Sequence, residues 1–132
     1  MEFIRTNQAP EAIGPYSQAV AAGPFVFCSG QLPMFPGTRE MCNASIEEAT
    51  RQALANLRQV LAEAGCSVTD VVKTTVYLRD LTEFEEMNAV YREFFGEHRP
   101  ARATLQAARL PGNARVEIEC LALRRNPPNA AQ

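Results

Sequence analysis

Two spacings of apolar residues alternate along this chain. Ile46, Ala49, Ala53, Leu57, Val60, Leu61 and Ala64 recur at helical intervals, with Arg51, Arg58, Gln59 and Glu63 on the opposite side. Ser45 and Glu48 form a capping box ahead of the stripe and Gly65 is a stop behind it, which predicts a first helix. A second stripe, Phe84, Met87, Val90, Tyr91, Phe94 and Phe95, follows a similar pattern at Thr82-Glu83-Phe84-Glu85 and ends at Gly96.

Elsewhere the period is two. Gly23 to Leu32 is a β-favouring run ending at Ser29-Gly30, and a shorter alternating stretch through Val20 precedes it after the Gly14-Pro15 bend. In 71–79, Val72, Thr74, Val76 and Leu78 share one side, and Lys73, Thr75, Tyr77 and Arg79 the other. Ala101 to Ala107 and Arg115 to Leu123 are two further strands, separated by the turn residues Pro111, Gly112 and Asn113. In the last strand Val116, Ile118, Cys120 and Ala122 fall opposite Arg115, Glu117, Glu119, Leu121 and Leu123.

The predicted order is β-β-α-β-α-β-β, an α+β domain of two layers with both helices on one face of a mixed sheet. The strand–helix–strand unit around the first helix implies parallel strands. The face without helices carries Leu121 and Leu123, and a part-apolar uncovered face seeks a partner.

A chain of 132 residues, 46% hydrophobic, supports one core, assigned to 1–124. The segment 125–132, with two prolines and small polar residues, reads as a disordered tail. The net charge of −2 offers no basic field to phosphates, so nucleic acid is not an expected partner. No apolar run reaches spanning length and the first residues lack the order of a signal peptide, so the expectation is a soluble, cytoplasmic protein with no membrane partner. Cys28, Cys42, Cys66 and Cys120 are scattered, with His98 the single histidine, which argues against a metal centre or disulfide framework. Cys28 and Cys120 read as small buried hydrophobes, and His98 as a surface or capping residue.

The chemistry concentrates in Pro100 to Glu119. Arg102, Thr104 and Gln106 share a face of their strand, opposite Ala101, Ala103, Leu105 and Ala107. An arginine fork suits a carboxylate, and a nearby glutamate can move protons.

This stretch, PARATLQAARLPGNARVEIE, resembles the C-terminal signature of the RidA/YjgF family of enamine and imine deaminases. Gly14-Pro15-Tyr16-Ser17-Gln18, Ser29-Gly30-Gln31 and the helix around Asn88 are similar to further family motifs, so the likeness runs from about Ile13 to Arg124. The resemblance implies a chorismate-mutase-like fold assembled as a homotrimer, with three clefts between subunits. It implies that Arg102 grips the carboxylate of a small 2-imino acid or its enamine tautomer, and that Glu117 handles the hydrolytic water, giving a 2-oxo acid and ammonia. Tyr16, Ser29, Gly30 and Asn88 would line the cleft. Thr104 stands where many members have cysteine, so a thiolate role is absent there, while a backbone amide contribution survives. No cofactor is called for, because a protonated imine is already electrophilic.

Arg102 and Glu117 are expected to converge across neighbouring strands on one pocket, and the guanidinium to depress the carboxyl pKa. Two other classes stand beside the deaminase: a metabolite-binding regulatory trimer without turnover, and the endoribonuclease or translation inhibitor named for relatives.

Overall fold

The computed structural model describes residues 1–125. One six-stranded sheet is formed by β1 (Glu2–Ile4), β2 (Ala19–Ala22), β3 (Phe25–Gln31), β4 (Val71–Leu78), β5 (Ala101–Gln106) and β6 (Val116–Leu123). Two helices, α1 (Ile46–Glu63) and α2 (Phe84–Phe95), cover one of its faces. The mixed α+β architecture is the expected one, with β1 as an added edge strand too short to show a period.

The spatial order is β1-β2-β3-β6-β4-β5. β3 and β4 run the same way but do not touch, because β6 lies between them and is antiparallel to both. β5 lies parallel to β4 at the opposite edge from β1. The last two strands are therefore separated by β4, and the side chains give the reason. Val116, Ile118 and Ala122 of β6 are fully buried under the helices, which suits a central strand. β5 turns Arg102, Thr104 and Gln106 to the helix side, and only an edge leaves such groups access to solvent.

α1 starts as its residues dictate: the Glu48 amide donates to Ser45 Oγ at 3.1 Å. Leu54, Leu57 and Leu61 are completely buried, each contributing about 2 kcal/mol relative to exposure. α2 begins differently from the pattern. Asp80, not Thr82, is the capping residue; it accepts from the Thr82 amide at 3.0 Å and opens a single 3-10 turn, Leu81–Glu83, ahead of the helix. Val72 also departs from its predicted face. A bulge between Val71 and Lys73 puts Val71 in the core and leaves Val72 46% exposed.

Cys28 and Cys120 are cross-strand partners in the core, and Cys66 is buried as well. His98 has a structural role: Nε2 donates to the Val71 carbonyl at 2.7 Å, tying the end of α2 to the start of β4. Arg125 pairs with Asp70 at 2.9 Å, and the remainder of the expected tail lies outside the described residues. Among the described residues no helix is long and apolar enough to cross a membrane.

One polar side chain in the core sets up the loop that follows β3. Asn56 on α1 is 1% exposed and donates to the carbonyls of Leu32 and Met34 at 3.0 and 2.8 Å. Replacing it leaves both acceptors buried and unmatched, so Asn56→Leu should lower unfolding free energy by about 2 kcal/mol, read from a shifted denaturant midpoint at constant slope.

Candidate functional site

The sequence-predicted residues fall into two groups. Glu117 sits on the face of β6 away from the helices, between the fully buried Val116 and Ile118 and opposite Tyr77 of β4. Between Cys28 and Gln31 the β3–β6 register shifts, so Ser29 and Gly30 together oppose Glu119. This bulge brings the backbone of Gly30 against the Glu117 side chain: a Cβ at position 30 would stand 2.8 Å from Glu117 Cδ. The glycine is required by close approach and not by a positive φ.

Tyr16, Ser29, Gly30 and Glu117 line one cavity of about 860 Å³. Its wall continues through Ile13, Met34 and Met41, with Arg39 also lining it. Ser29 Oγ donates to the Ser17 carbonyl at 2.5 Å, so its one proton is already committed and toward a ligand it can only accept. Tyr16 is 54% exposed on the loop before β2.

That loop is fixed by Gln18, which sequence reasoning noted only as part of a motif. Gln18 is 3% exposed; its Oε1 accepts from the Thr6 amide at 2.6 Å and its Nε2 donates to the carbonyls of Thr6 and Pro10 at 3.1 and 2.8 Å. Arg115, beyond the Pro111–Gly112 turn that lines the cavity, donates to Asn43 O at 2.9 Å and pairs with Glu83 at 2.8 Å. Neither role has a local signal, because each partner lies at least eight positions away in sequence.

Burial raises the Glu117 carboxyl above the ordinary carboxylate range, and the like charge of Glu119 two residues on adds to it. This reverses the expected depression, since the Arg102 guanidinium lies on the other face of the sheet. Glu119 itself accepts a 2.5 Å hydrogen bond from the Tyr77 hydroxyl.

Arg102 belongs to the second group. Its register partner Thr74 is buried against α2, so it projects to the helix side, where Nη1 donates to Asn88 Oδ1 at 2.7 Å. The guanidinium stacks on Tyr91 at 4.7 Å and on Phe84 at 5.5 Å. Tyr91 is anchored in turn by a 2.7 Å hydrogen bond between its hydroxyl and Thr74 Oγ1. Thr104, two residues along the same side, has a buried hydroxyl with no partner among the described residues.

Arg102 and Glu117 thus lie on opposite faces, with β4 between their strands and their backbones about 14 Å apart from strand rise and spacing. The expected convergence across neighbouring strands does not occur within one chain. One copy carries a carboxylate with a cavity, and separately a braced guanidinium on an edge strand.

The chain matches the profile of the Endoribonuclease L-PSP family over residues 6–124. A RutC family protein of Pyrococcus abyssi is 48% identical over 121 residues, covering 92% of this chain and 95% of that one. The human protein named 2-iminobutanoate/2-iminopropanoate deaminase is 44% identical over 120 residues, covering 91% and 88%. Among solved structures, Escherichia coli TdcF with bound serine superposes with a TM-score of 0.89 at 43% identity, covering 94% and 99%.

Proposed function

Because this chain belongs to the Endoribonuclease L-PSP family, the family of RidA and YjgF, we propose that it is a hydrolytic deaminase of small 2-imino acids, built from two copies at each site. The observation that carries the reading is the separation of Arg102 from Glu117 within one chain. Each copy has both halves of a site for an imino acid, and neither half is usable without a neighbour.

The open sheet face supplies the means of assembly. Phe3, Phe25, Phe27, Leu105 and Leu123 are 71, 43, 51, 42 and 39% exposed on it, an apolar set that suits contact with another copy. A homotrimer of the chorismate-mutase-like type, its sheets turned inward, covers that face and sets β5 of one chain beside the Glu117 cavity of the next. TdcF with bound serine is named for a ligand that bears a carboxylate, which is the group a braced arginine fork reads.

In the assembled cleft Arg102, held by Asn88 and Tyr91, fixes the substrate carboxylate, so that water addition becomes effectively unimolecular. Glu117 takes a proton from water as it adds to the C=N carbon, and then returns it to the nitrogen as ammonia leaves. Ser29 Oγ, able only to accept, orients the water or the imine N–H. Tyr16 and the Gly30 backbone shape the pocket, and Thr104 contributes through its backbone amide.

The test couples a dehydratase that releases 2-iminopropanoate or 2-iminobutanoate to this protein and follows 2-oxo acid formation. Arg102→Ala should lose most of the rate enhancement; the variant matching wild type would overturn the reading. The same assay carries a pH prediction. Glu117 acts ionised and its carboxyl is raised by burial and by Glu119, so removing that charge with Glu119→Gln should move the acid limb of kcat/KM to lower pH.

A further inference from the structure

Arg102 and its partner Asn88 also border a hollow on the helix side of the sheet, beyond the carboxylate anchor itself. This space of about 380 Å³ lies between the end of α2 and the start of β5, with Tyr91, Arg92, Phe95, His98, Arg99 and Arg102 among its walls. Three arginines from three places in the chain line it: one in the last turn of α2, one in the connection, and one in β5. Among the described residues none of the three forms an ion pair with a carboxylate.

Local needs account for only part of this. Arg92 complements the C-terminal end of the helix dipole. Arg99 uses Nη1 on the carbonyls of Gly96 and His98, and Arg102 uses Nη1 on Asn88. Nε and Nη2 of both donate to nothing among the described residues, and like charges lining one hollow favour a counter-anion. Helix capping explains neither the unused donors nor the presence of Arg102, which belongs to the sheet.

We propose that this hollow binds a phosphate monoester, its terminal oxygens shared among Arg92, Arg99 and Arg102. A dianion with three terminal oxygens matches three forks better than a single carboxylate does. The space exceeds a bare phosphate, and the rings of Tyr91 and Phe95 offer an apolar wall to the organic part. His98 is held in place by its bond to Val71 O and completes the rim. Because Arg102 is shared with the proposed carboxylate anchor, phosphate occupancy competes with the imino acid; only this kinetic consequence rests on the deaminase reading.

The experiment is calorimetric titration of the full chain with inorganic phosphate and with phenyl phosphate at constant ionic strength. Wild type should bind both, phenyl phosphate more tightly, and Arg92→Gln/Arg99→Gln should weaken both at least tenfold. Arg51→Gln, which removes an exposed arginine paired with Glu93 elsewhere on the helices, should change neither. Melting temperatures check that the variants fold. If loss of the Arg99 cap unfolds the double variant, Arg92→Gln alone carries the test, since Arg92 makes no side-chain hydrogen bond among the described residues. Tighter binding of phenyl phosphate assigns the site to an organic ester; equal binding assigns it to free phosphate and overturns the monoester. Binding unchanged in the arginine variants, or weakened equally by Arg51→Gln, overturns the site. In the deaminase assay, phosphate should raise KM and leave kcat alone. Arginine-dependent phosphate binding in a protein with no turnover would uphold this site and defeat the deaminase reading.

Discussion

Arg102→Ala and Glu117→Gln should each be inactive alone, and a mixture of the two, unfolded and refolded together, should regain activity. The expectation follows from the sheet: the two side chains stand on opposite faces with β4 between their strands, so an intact pair must come from two chains. In a closed ring of randomly mixed copies, about one quarter of the clefts would unite a wild-type arginine with a wild-type glutamate. Each single variant loses a charged participant and should fall by about 100-fold or more in kcat/KM. Recovery to near a quarter of wild-type activity on mixing has no explanation within a single chain. Mixtures that stay at the level of the single variants, with subunit exchange confirmed by mass, would show that the site is not shared between copies. Arg102→Lys should rescue poorly in the same assay, because an ammonium lacks the planar fork that also stacks on Tyr91.

What the sequence could show depended on how far apart the partners are. α1 and the burial of its stripe were legible because every signal, from Ser45 to Gly65, is local. The stripe from Phe84 marks α2 correctly, but Thr82-Glu83-Phe84-Glu85 only imitates a cap, while Asp80, two residues earlier, caps the 3-10 turn that leads into the helix. Alternation in 115–123 correctly gave the two faces of β6, but strand order is a long-range property. Nothing in β5 or β6 announces that β4 lies between them. The candidate site is legible by likeness to known motifs and not by geometry, and no motif shows that one chain divides its residues. The supports of the site, Gln18, Asn56 and Arg115, act on distant carbonyls and leave no pattern in the residues beside them. The rise in the Glu117 pKa was hidden in its larger cause, burial beneath the β3 bulge, although alternation alone puts Glu119 on the same face.

Gly30→Ala should cost activity out of proportion to stability. The added methyl would lie 2.8 Å from Glu117 Cδ, closer than such atoms stand, and 3.0 Å from Cγ, so the carboxylate must swing away. The glutamate side chain is the flexible partner, and its movement spares the core beneath β6. The melting temperature should therefore change little, while displacement of the base by about 1 Å should lower kcat/KM by about 100-fold. Gly23→Ala is the matched control. Gly23 occupies the turn between β2 and β3 at φ 59°, and a methyl added there would meet nothing within 4 Å, so alanine is strained without touching the cavity. It should destabilise by about 1 kcal/mol through the left-handed backbone and leave the kinetic constants of the folded protein unchanged. The two glycines thus separate conformational need from close approach. Were Gly30→Ala to retain full activity, the contact between the β3 bulge and Glu117 would not be positioning the carboxylate, and the role of Glu117 as the base would lose its structural support.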